Sequence, residues 1–387
     1  MVKVIGLFSD SYPPILDGVA LTVQNYAYWL HRKNQPVSVI TVKTPNCADE
    51  ADYPVYRYFS LPLLFRKPFR MGLPALDRRF QKTVRAIPFK LLHVHSPFSS
   101  AEVALHIARQ QKVPVVATFH SKYKDDFARA TYNKRLAAWM AKRVITFYEK
   151  ADEVWIPQPA VEETLREYGY KGKVVVMNNG ADFTADSNMD EAKRRARAEL
   201  GIPEALPVFL FIGQHIWEKN TRLVIEALAQ LKDVRFKMFF IGTGYAAREL
   251  QALTHRHGMG ADISFLGVIK DRELLKRYYT AADLFLFPSL YDNAPLVVRE
   301  AAALHTPSVL VRGSTASEIV TDGYNGFLVD NSSGALAARI RALITSPQLI
   351  REAGQHAAHT IARPWENVAD EVLERYSYII RNYAATR

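Results

Sequence analysis

The sequence of 387 residues predicts an α/β protein with two doubly wound parallel sheets. Short apolar segments of strand length alternate with helix-like segments along most of the chain, which indicates β-α-β units. A polar and charged stretch over residues 181–207 interrupts this alternation, which then starts again. The length also suits two domains. We therefore expect one domain over residues 1–183 and a second over residues 184–365.

The predicted elements follow one another in the same manner in both domains. The predicted strands of the first domain are VKVIGLF, PVSVITV, LLHVH, PVVATF, DEVWIP and KVVVMNN. Those of the second domain are VFLFIGQ, FKMFFIG, ISFLGV, ADLFLFPS, PSVLVRG and GFLVD. The stretches between them, such as AEVALHIARQQ, predict helices. A last helical pattern, residues 362–387, begins after the second sheet is complete, so it is free to pack on the first domain.

Composition argues against several classes of protein. The single cysteine, Cys47, leaves no intrachain disulfide, which fits a reducing compartment. The first residues do not resemble a secretory signal, and no apolar run reaches the roughly 18 residues of a membrane span. We therefore expect a cytoplasmic protein that binds peripherally to the inner face of the cell membrane.

Positive charge is concentrated in one segment of the first domain. Residues 57–90 contain nine Lys and Arg side chains and one acid, Asp77, in a chain of formal net charge +11. Cations interleaved with apolar side chains favour contact with an anionic bilayer. The alternative is a surface loop beside ordinary helix faces. The residues that we assign to membrane and acceptor contact are Phe65, Arg66, Lys67, Phe69, Arg70, Arg78 and Arg79.

Four loops at predicted strand ends carry groups suited to a ligand, because open parallel sheets bind ligands there. Gly18 permits a close approach of backbone, and Lys219 before a helix start can hold an anion. His120, with His95 on a neighbouring strand, can exchange protons near neutral pH. The alternatives are an ordinary turn, a solvated lysine and structural histidines.

The stretch YDNAPLVVRE places Asp292 and Glu300 eight positions apart around a predicted helix start. Eight residues of helix span about 12 Å, which is too far for two carboxylates to share one proton. We interpret the acids as contacts for the two ends of a long ligand whose phosphates meet the amides of Leu296 and Val297. The alternative for Asp292 alone is a helix N-cap.

These motifs resemble those of retaining glycosyltransferases of family 4, which have the GT-B fold of two Rossmann-like domains. The resemblance covers almost the whole chain. In the first domain it rests on PPILDGVAL and VMNNGAD. In the second it rests on FIGQHIWEKN, FLGVIKDRELLKRYYTAADLFLFPS, the stretch with Asp292 and Glu300, and SEIVTDGYNGFLV. It implies that the last helix returns to the first domain, so that residues 366–387 belong there.

The resemblance also implies a nucleotide-diphosphate sugar as donor, with a UDP-sugar as the first choice. Glu300 would hold the ribose hydroxyls, Asp292 the sugar hydroxyls, and His120 the transferred sugar near its reacting carbon. The other implied donor contacts are Gly18, Gln214, Lys219, Ile269, Leu296 and Val297. Transfer with retention, in which the leaving phosphate acts as the base, needs no metal, and we expect no cofactor.

Three positions depart from the family pattern. Asp292 stands where the family usually has Glu, and Gln214 stands where it has Arg, which removes one positive charge from the diphosphate site. Pro295 stands where it has Gly and offers no N–H group to the sugar. These departures leave the sugar open.

The basic segment makes a membrane lipid, such as diacylglycerol or a glycolipid, the expected acceptor. One alternative is the same chemistry on a soluble or polysaccharide-precursor acceptor. A second is a nucleotide-sugar binder without catalysis. A nucleic-acid-binding protein is disfavoured, because the sequence has no aromatic RNA motif, zinc-ligand spacing or helix-turn-helix signature. The oligomeric state stays open.

Overall fold

The computed structural model describes residues 2–45, 47–63, 69–131 and 133–385. The chain forms two compact units: unit 1 is residues 1–179 with residues 365–387, and unit 2 is residues 180–364. Each unit is built on a parallel sheet with helices between its strands. The prediction of an α/β protein with two Rossmann-like sheets is therefore confirmed.

Unit 1 contains a sheet of seven parallel strands. The strands of the whole unit are β1 (Val4–Phe8), β2 (Val37–Val42), β3 (Val55–Tyr58), β4 (Ser60–Pro62), β5 (Arg70–Gly72), β6 (Phe89–Val94), β7 (Val115–Thr118), β8 (Glu153–Ile156) and β9 (Val174–Val176). The order in the sheet is β3-β2-β1-β6-β7-β8-β9, and β4 and β5 form a separate antiparallel hairpin. Its helices are α1 (Gly18–Arg32), α2 (Arg78–Arg85), α3 (Ser99–Gln111), α4 (Tyr123–Thr131), α5 (Lys134–Tyr148), α6 (Val161–Glu167) and, from the end of the chain, α14 (Trp365–Ala385).

The last helix, α14, completes the core of unit 1. The Tyr376 hydroxyl lies 2.5 Å from Nδ1 of His93 on β6, and its ring stacks on Trp155 of β8 with centroids 5.4 Å apart. Arg375 donates to the carboxylate of Glu153. Tyr376 and Trp155 are both fully buried. The helix is thus part of the unit that begins the chain.

Unit 2 contains a sheet of six parallel strands. They are β10 (Val208–Ile212), β11 (Lys237–Ile241), β12 (Ile263–Gly267), β13 (Leu284–Leu286), β14 (Ser308–Val311) and β15 (Phe327–Val329). The helices are α7 (Met189–Glu199), α8 (Thr221–Leu228), α9 (Ala247–Arg256), α10 (Arg272–Ala281), α11 (Leu296–Ala303), α12 (Ser333–Ile344) and α13 (Pro347–Thr360). The order β12-β11-β10-β13-β14-β15 is that of a dinucleotide-binding sheet.

The strand order reverses once in each unit, and the reversals decide where a ligand can bind. In unit 1 the reversal lies between β1 and β6, and in unit 2 it lies between β10 and β13. Chain segments that leave such neighbouring strands diverge and open a crevice at the carboxyl ends. In unit 2 the loops after β10 and β11 also touch through backbone. A Cβ on Gly242, whose φ is +127°, would lie 2.0 Å from the Gly213 carbonyl oxygen.

Most predicted strands and helices are observed within a few residues of their expected bounds. The short strands β3 to β5 and helix α2 were not predicted, because Pro and Arg residues break the apolar pattern there. Among the described residues, none of the helices combines the length and the apolar character that crossing a bilayer requires.

A partly buried carboxylate connects helix and sheet in unit 2. Asp283, which precedes β13, accepts hydrogen bonds from Lys193 at 2.6 Å, Arg197 at 2.7 Å and the Val208 amide at 2.8 Å. Arg197 is itself buried. A buried guanidinium that loses its partner is costly, because the charge has left water without compensation.

We predict that Asp283→Ala lowers the free energy of unfolding by about 3 kcal/mol, since it leaves Arg197 unpaired. Asp233→Ala is the matched control, because Asp233 pairs with Arg341 in solvent, and it should cost less than about 1 kcal/mol. Urea unfolding followed by circular dichroism measures both variants. Equal effects of the two substitutions would contradict the assigned role of Asp283.

Candidate functional site

Lys219 and Asp292 form an ion pair beside the strand-order reversal of unit 2. Lys219 ends a short 3-10 turn after β10, and Asp292 lies in the loop after β13. The ammonium of Lys219 donates to Oδ1 of Asp292, and both side chains are largely buried. Ser289 donates to Oδ2 at 2.5 Å. The ammonium also lies 5.2 Å from the centre of the Phe287 ring. The pair is therefore held in place by residues that follow β13.

Asp292 is not a helix cap. Helix α11 begins at Leu296, and its N-cap is Pro295, which has an extended backbone and no side-chain capping bond. The N-cap alternative for Asp292 is therefore wrong. The 12 Å helix span between Asp292 and Glu300 does not apply either, because the residues from 292 to 295 are not helical.

Glu300 is buried in α11, and both oxygens of its carboxylate accept hydrogen bonds. Arg272 donates to Oε1 at 2.8 Å and the Tyr279 hydroxyl donates to Oε2 at 2.8 Å. Arg272 also donates to Asp182 at 3.1 Å and lies 4.2 Å from the centre of the Phe183 ring. Burial, with Glu300 next to it, raises the pKa of Tyr279 well above its usual value. Tyr279 is therefore a stable donor to Glu300.

The remaining predicted contacts of unit 2 lie on the loops at the same sheet edge. Gln214 is exposed just after β10, and Ile269 follows β12 with its side chain packed against the core. Leu296 and Val297 are the first two residues of α11, where helical amides have no carbonyl partner of their own. The described residues include no cluster of three or more His, Cys, Asp or Glu side chains suited to a metal ion.

In unit 1, Gly18 lies at the corresponding reversal, between β1 and β6. It is the exposed first residue of α1, and the space that a Cβ would occupy is open. Two acids of the same loop were missed in the sequence. Asp17 caps α1 by accepting from the Ala20 amide at 2.7 Å, and Asp10 accepts from Ser100 and Tyr58. The partners of Asp10 are far away in sequence, so no local pattern could indicate its bonds. Asp17, in contrast, stands in the local pattern of a helix N-cap, which the sequence analysis did not use.

His95 and His120 follow the adjacent strands β6 and β7, as predicted. Nδ1 of His95 lies 3.0 Å from Nε2 of His120, and His95 is buried. Burial lowers the pKa of His120 to about 3. Burial, followed by the positive charge that His93 and His120 would carry, lowers the pKa of His95 well below its usual value. Both imidazoles are therefore neutral at physiological pH.

The basic segment of unit 1 divides into internal and exposed cations. Arg57 pairs with Asp49, Arg70 donates to Ser60 across the hairpin, and Lys90 donates to Gln35, so these three have internal partners. Phe69 is partly buried. The predicted residues Phe65, Arg66 and Lys67 lie outside the described residues. Among the described residues of this segment, the exposed cations lie on α2: Arg78, Arg79, Lys82 and Arg85.

Exposed apolar side chains lie next to these cations. Asp77, the N-cap of α2, also accepts from the Phe59 amide at 3.2 Å, which joins the helix to the β4–β5 hairpin. We call this surface the hairpin–α2 face. Its exposed apolar residues are Phe59, Leu61, Leu63, Met71 and Leu76.

Comparison with known proteins gives matches along nearly the whole chain. The family model described as Glycosyltransferase Family 4 matches residues 16–185, and the model described as Glycosyl transferases group 1 matches residues 192–360. An alpha-monoglucosyldiacylglycerol synthase of Streptococcus pneumoniae is 24% identical over 96% of this chain and 85% of its own length. A GDP-mannose-dependent alpha-mannosyltransferase of Mycolicibacterium smegmatis is 25% identical over 97% of both chains.

Solved structures show the same fold. Sucrose-phosphate synthase from Thermosynechococcus elongatus has a TM-score of 0.83 at 22% identity and covers 98% of this chain and 100% of its own. HepE of Anabaena, in complex with UDP and glucose, has a TM-score of 0.77 at 19% identity and covers 97% and 100%.

Two Rossmann-like units, each with one reversal of strand order in its parallel sheet, define the GT-B fold. The chain belongs to glycosyltransferase family 4, as the resemblance of its motifs predicted.

The lowered histidine pKa values predict a pH-dependent stability. Unfolded histidine has a pKa of about 6.5, so below that pH the unfolded state binds protons that the folded state does not. The neutral buried histidines therefore contribute to the free energy of unfolding above pH ~6.5, and this contribution is lost as the pH falls. Removal of one such group in His120→Asn should reduce the slope of stability against pH by about 1.4 kcal/mol per unit below pH 6. Urea unfolding between pH 5 and 7.5 tests this.

His106→Asn is the matched control, because His106 lies exposed on α3 of the same unit. Its slope should equal that of the unchanged protein. A His120→Asn slope that also stayed unchanged would show that His120 is protonated in the folded state.

Proposed function

We propose that this glycosyltransferase moves a hexose from a UDP-sugar to a membrane lipid, with retention of the anomeric configuration. The acceptor would be diacylglycerol or a glycolipid. The observation that carries the proposal is the arrangement around α11, where Asp292 and Lys219 flank its start and Glu300 lies one turn inside it. These groups suit the two ends and the centre of a nucleotide-diphosphate sugar.

Glu300 is the proposed contact for the ribose. Its two oxygens each accept one hydrogen bond from protein, which leaves further lone pairs for the vicinal hydroxyls of a ribose. Arg272 and Tyr279 hold the carboxylate in one orientation, so little entropy is lost when the nucleotide binds. Backbone at Ile269 is the proposed contact for the base.

Lys219 and Asp292 are the proposed contacts for the diphosphate and the sugar. An ammonium has three donors, so Lys219 can keep Asp292 and still donate to a phosphate oxygen. The amides of Leu296 and Val297 at the positive end of α11 supply further donors. Because Gln214 is neutral and Asp292 offsets Lys219, this site depends more on backbone amides than the family pattern with arginine does.

The proposed reaction breaks the bond between the sugar C1 and the diphosphate oxygen. It forms a bond between C1 and the acceptor hydroxyl oxygen on the same face, and the hydroxyl proton passes to the leaving diphosphate. Lys219 and the amides at the start of α11 stabilise the charge that develops on that diphosphate. We assign Gly18 a backbone contact with the diphosphate and His120 a contact with the transferred sugar. None of these steps calls for a metal ion.

The names of relatives support the choice of a lipid acceptor and point to two different nucleotides in the donor. Two relatives of about a quarter identity, from Streptococcus pneumoniae and Acholeplasma laidlawii, are alpha-monoglucosyldiacylglycerol synthases. A third relative, from Mycolicibacterium smegmatis, is a GDP-mannose-dependent alpha-mannosyltransferase. The structural neighbour HepE, in contrast, was solved in complex with UDP and glucose. We favour UDP and glucose on this basis.

The hairpin–α2 face supports contact with an anionic bilayer. Its four cations and five large apolar side chains are exposed side by side, an arrangement suited to lipid headgroups and to the upper part of the acyl chains. We therefore propose a peripheral position on the inner face of the cell membrane. If the acceptor is soluble instead, this face has no such role.

We expect one of UDP, GDP and ADP to bind in calorimetric titration. The glucose or mannose conjugate of that nucleotide, titrated next, should also bind. Glu300→Gln should weaken that binding by roughly 10- to 100-fold, because a hydrogen bond to a charged group is lost. The 2′-deoxy nucleotide should be affected less by the same substitution. Glu226→Gln, on the exposed pair with Arg222, is the matched control.

Binding of none of the nucleotides would contradict the donor proposal. Unchanged affinity in Glu300→Gln would contradict the assignment of the ribose contact. Binding without donor hydrolysis or transfer would favour the non-catalytic alternative.

We expect the protein to sediment with vesicles that contain phosphatidylglycerol and not with phosphatidylcholine alone. Each cation near an anionic surface contributes about 1 kcal/mol, so changing the four α2 cations to Gln should weaken binding at least about 100-fold. The matched control removes the same charge from exposed cations of unit 2: Lys232, Arg235, Arg248 and Arg256. A protein that stays in the supernatant with both vesicles would favour a soluble acceptor.

A further inference from the structure

We propose that His95 is a positioning residue that fixes His120 in the tautomer with its proton on Nδ1. The proposal deepens the proposed function and rests on it in one respect, namely that His120 contacts the transferred sugar. His95 itself would touch neither donor nor acceptor. Its role is to decide which hydrogen-bonding groups His120 can offer.

The two imidazoles form a direct pair at the ends of adjacent strands. Nδ1 of His95 and Nε2 of His120 are 3.0 Å apart, and the ring planes differ by 20°. His95 is enclosed on its other sides by the ring of His93, with centroids 4.0 Å apart, and by the edge of Tyr26 at 5.3 Å. These contacts leave His95 little freedom to rotate.

The unpartnered nitrogen of His95 determines the direction of this hydrogen bond. Its Nε2 atom is buried and has no hydrogen-bond partner among the described residues. If His120 donated to Nδ1, the neutral His95 would carry its proton on Nε2, which would be a buried N–H without an acceptor. If His95 donates from Nδ1, its Nε2 is a bare acceptor. Buried N–H groups without an acceptor are rarer than buried acceptors without a donor, so His95 is the donor.

Both rings are neutral, so each imidazole carries one proton and only one of these protons lies between the two rings. Burial lowers the pKa of His120 to about 3 and that of His95 well below its usual value. A neutral imidazole has one donor and one acceptor nitrogen. Since Nε2 of His120 accepts from His95, the proton of His120 is on Nδ1.

This tautomer restricts what His120 can do to a substrate. Its single lone pair is occupied by His95, so His120 can donate a hydrogen bond and cannot accept a proton from an acceptor hydroxyl. His120 therefore acts as a donor to a sugar oxygen and not as a general base. That restriction agrees with a reaction in which the leaving diphosphate takes the proton.

The tautomer can be measured directly on the full chain labelled with ¹⁵N-histidine. Long-range ¹H–¹⁵N correlation spectra distinguish protonated from bare ring nitrogens, and loss of signals in His120→Asn assigns the His120 resonances. We expect a protonated Nδ1 and a bare Nε2 on His120 at pH 7.5. A protonated Nε2 on His120 would overturn the proposal, and this measurement on the unchanged protein does not depend on a variant folding.

Two substitutions of His95 by residues of nearly the same shape, Asn and Asp, test its positioning role through the rate of sugar transfer. In His95→Asn the amide N–H takes the place of Nδ1–H, so the His120 tautomer and most of kcat should be retained. In His95→Asp the carboxylate only accepts, which moves the His120 proton to Nε2, and kcat should fall by roughly tenfold with little change in the donor KM. Equal kcat in the two variants, each folded by circular dichroism, would overturn the proposal.

Failure of the proposed function gives a different result. If His120→Asn transfers sugar at the normal rate, the proposed sugar contact is wrong, whereas the Nδ1 tautomer in the spectra still stands. If His120→Asn is inactive and the spectra show the other tautomer, the sugar contact stands and the role of His95 fails.

Discussion

All strands of each main sheet run in the same direction, and the rest of the molecule depends on this constraint. Parallel strands bury both faces, which is why β1, β2 and β10 are buried along almost their whole length. The chain must also leave every strand at the same edge, so polar side chains that are distant in sequence meet there. Lys219 with Asp292, and His95 with His120, are both brought together in this way.

The two acids that flank the start of α11 are balanced in different ways. Asp292 neutralises Lys219, whereas Glu300 is held by Arg272 and Tyr279 in the interior. In each case the partners compensate a carboxylate that is largely removed from water, where an unpaired charge would be costly. The local charge of the Asp292 pair is close to zero, so an anionic ligand must be attracted largely by amide dipoles.

Sequence periodicity was sufficient for the sheets, their division into two domains and the loops at the carboxyl ends of the strands. It was insufficient where partners come from distant segments. Arg272 and Tyr279 hold Glu300 from another helix, and Asp10 is bonded by side chains about ninety positions away. The basic segment could be found by counting charges, but its division into internal and exposed cations could not. Arg57 and Lys90 belong to the nine cations of that segment, but each is bound to an acceptor from another part of unit 1. The acceptors are Asp49 and Gln35.

Helix α14 has a consequence for how the chain matures. Unit 1 is interrupted, because residues 180–364 are made before the helix that covers Tyr26, His93 and Trp155. During synthesis, the apolar and aromatic surface of the first sheet therefore stays uncovered until unit 2 and then α14 have been made. Such surface is a target for chaperones and a cause of aggregation. The order of synthesis thus makes the unit that begins first the last to be finished.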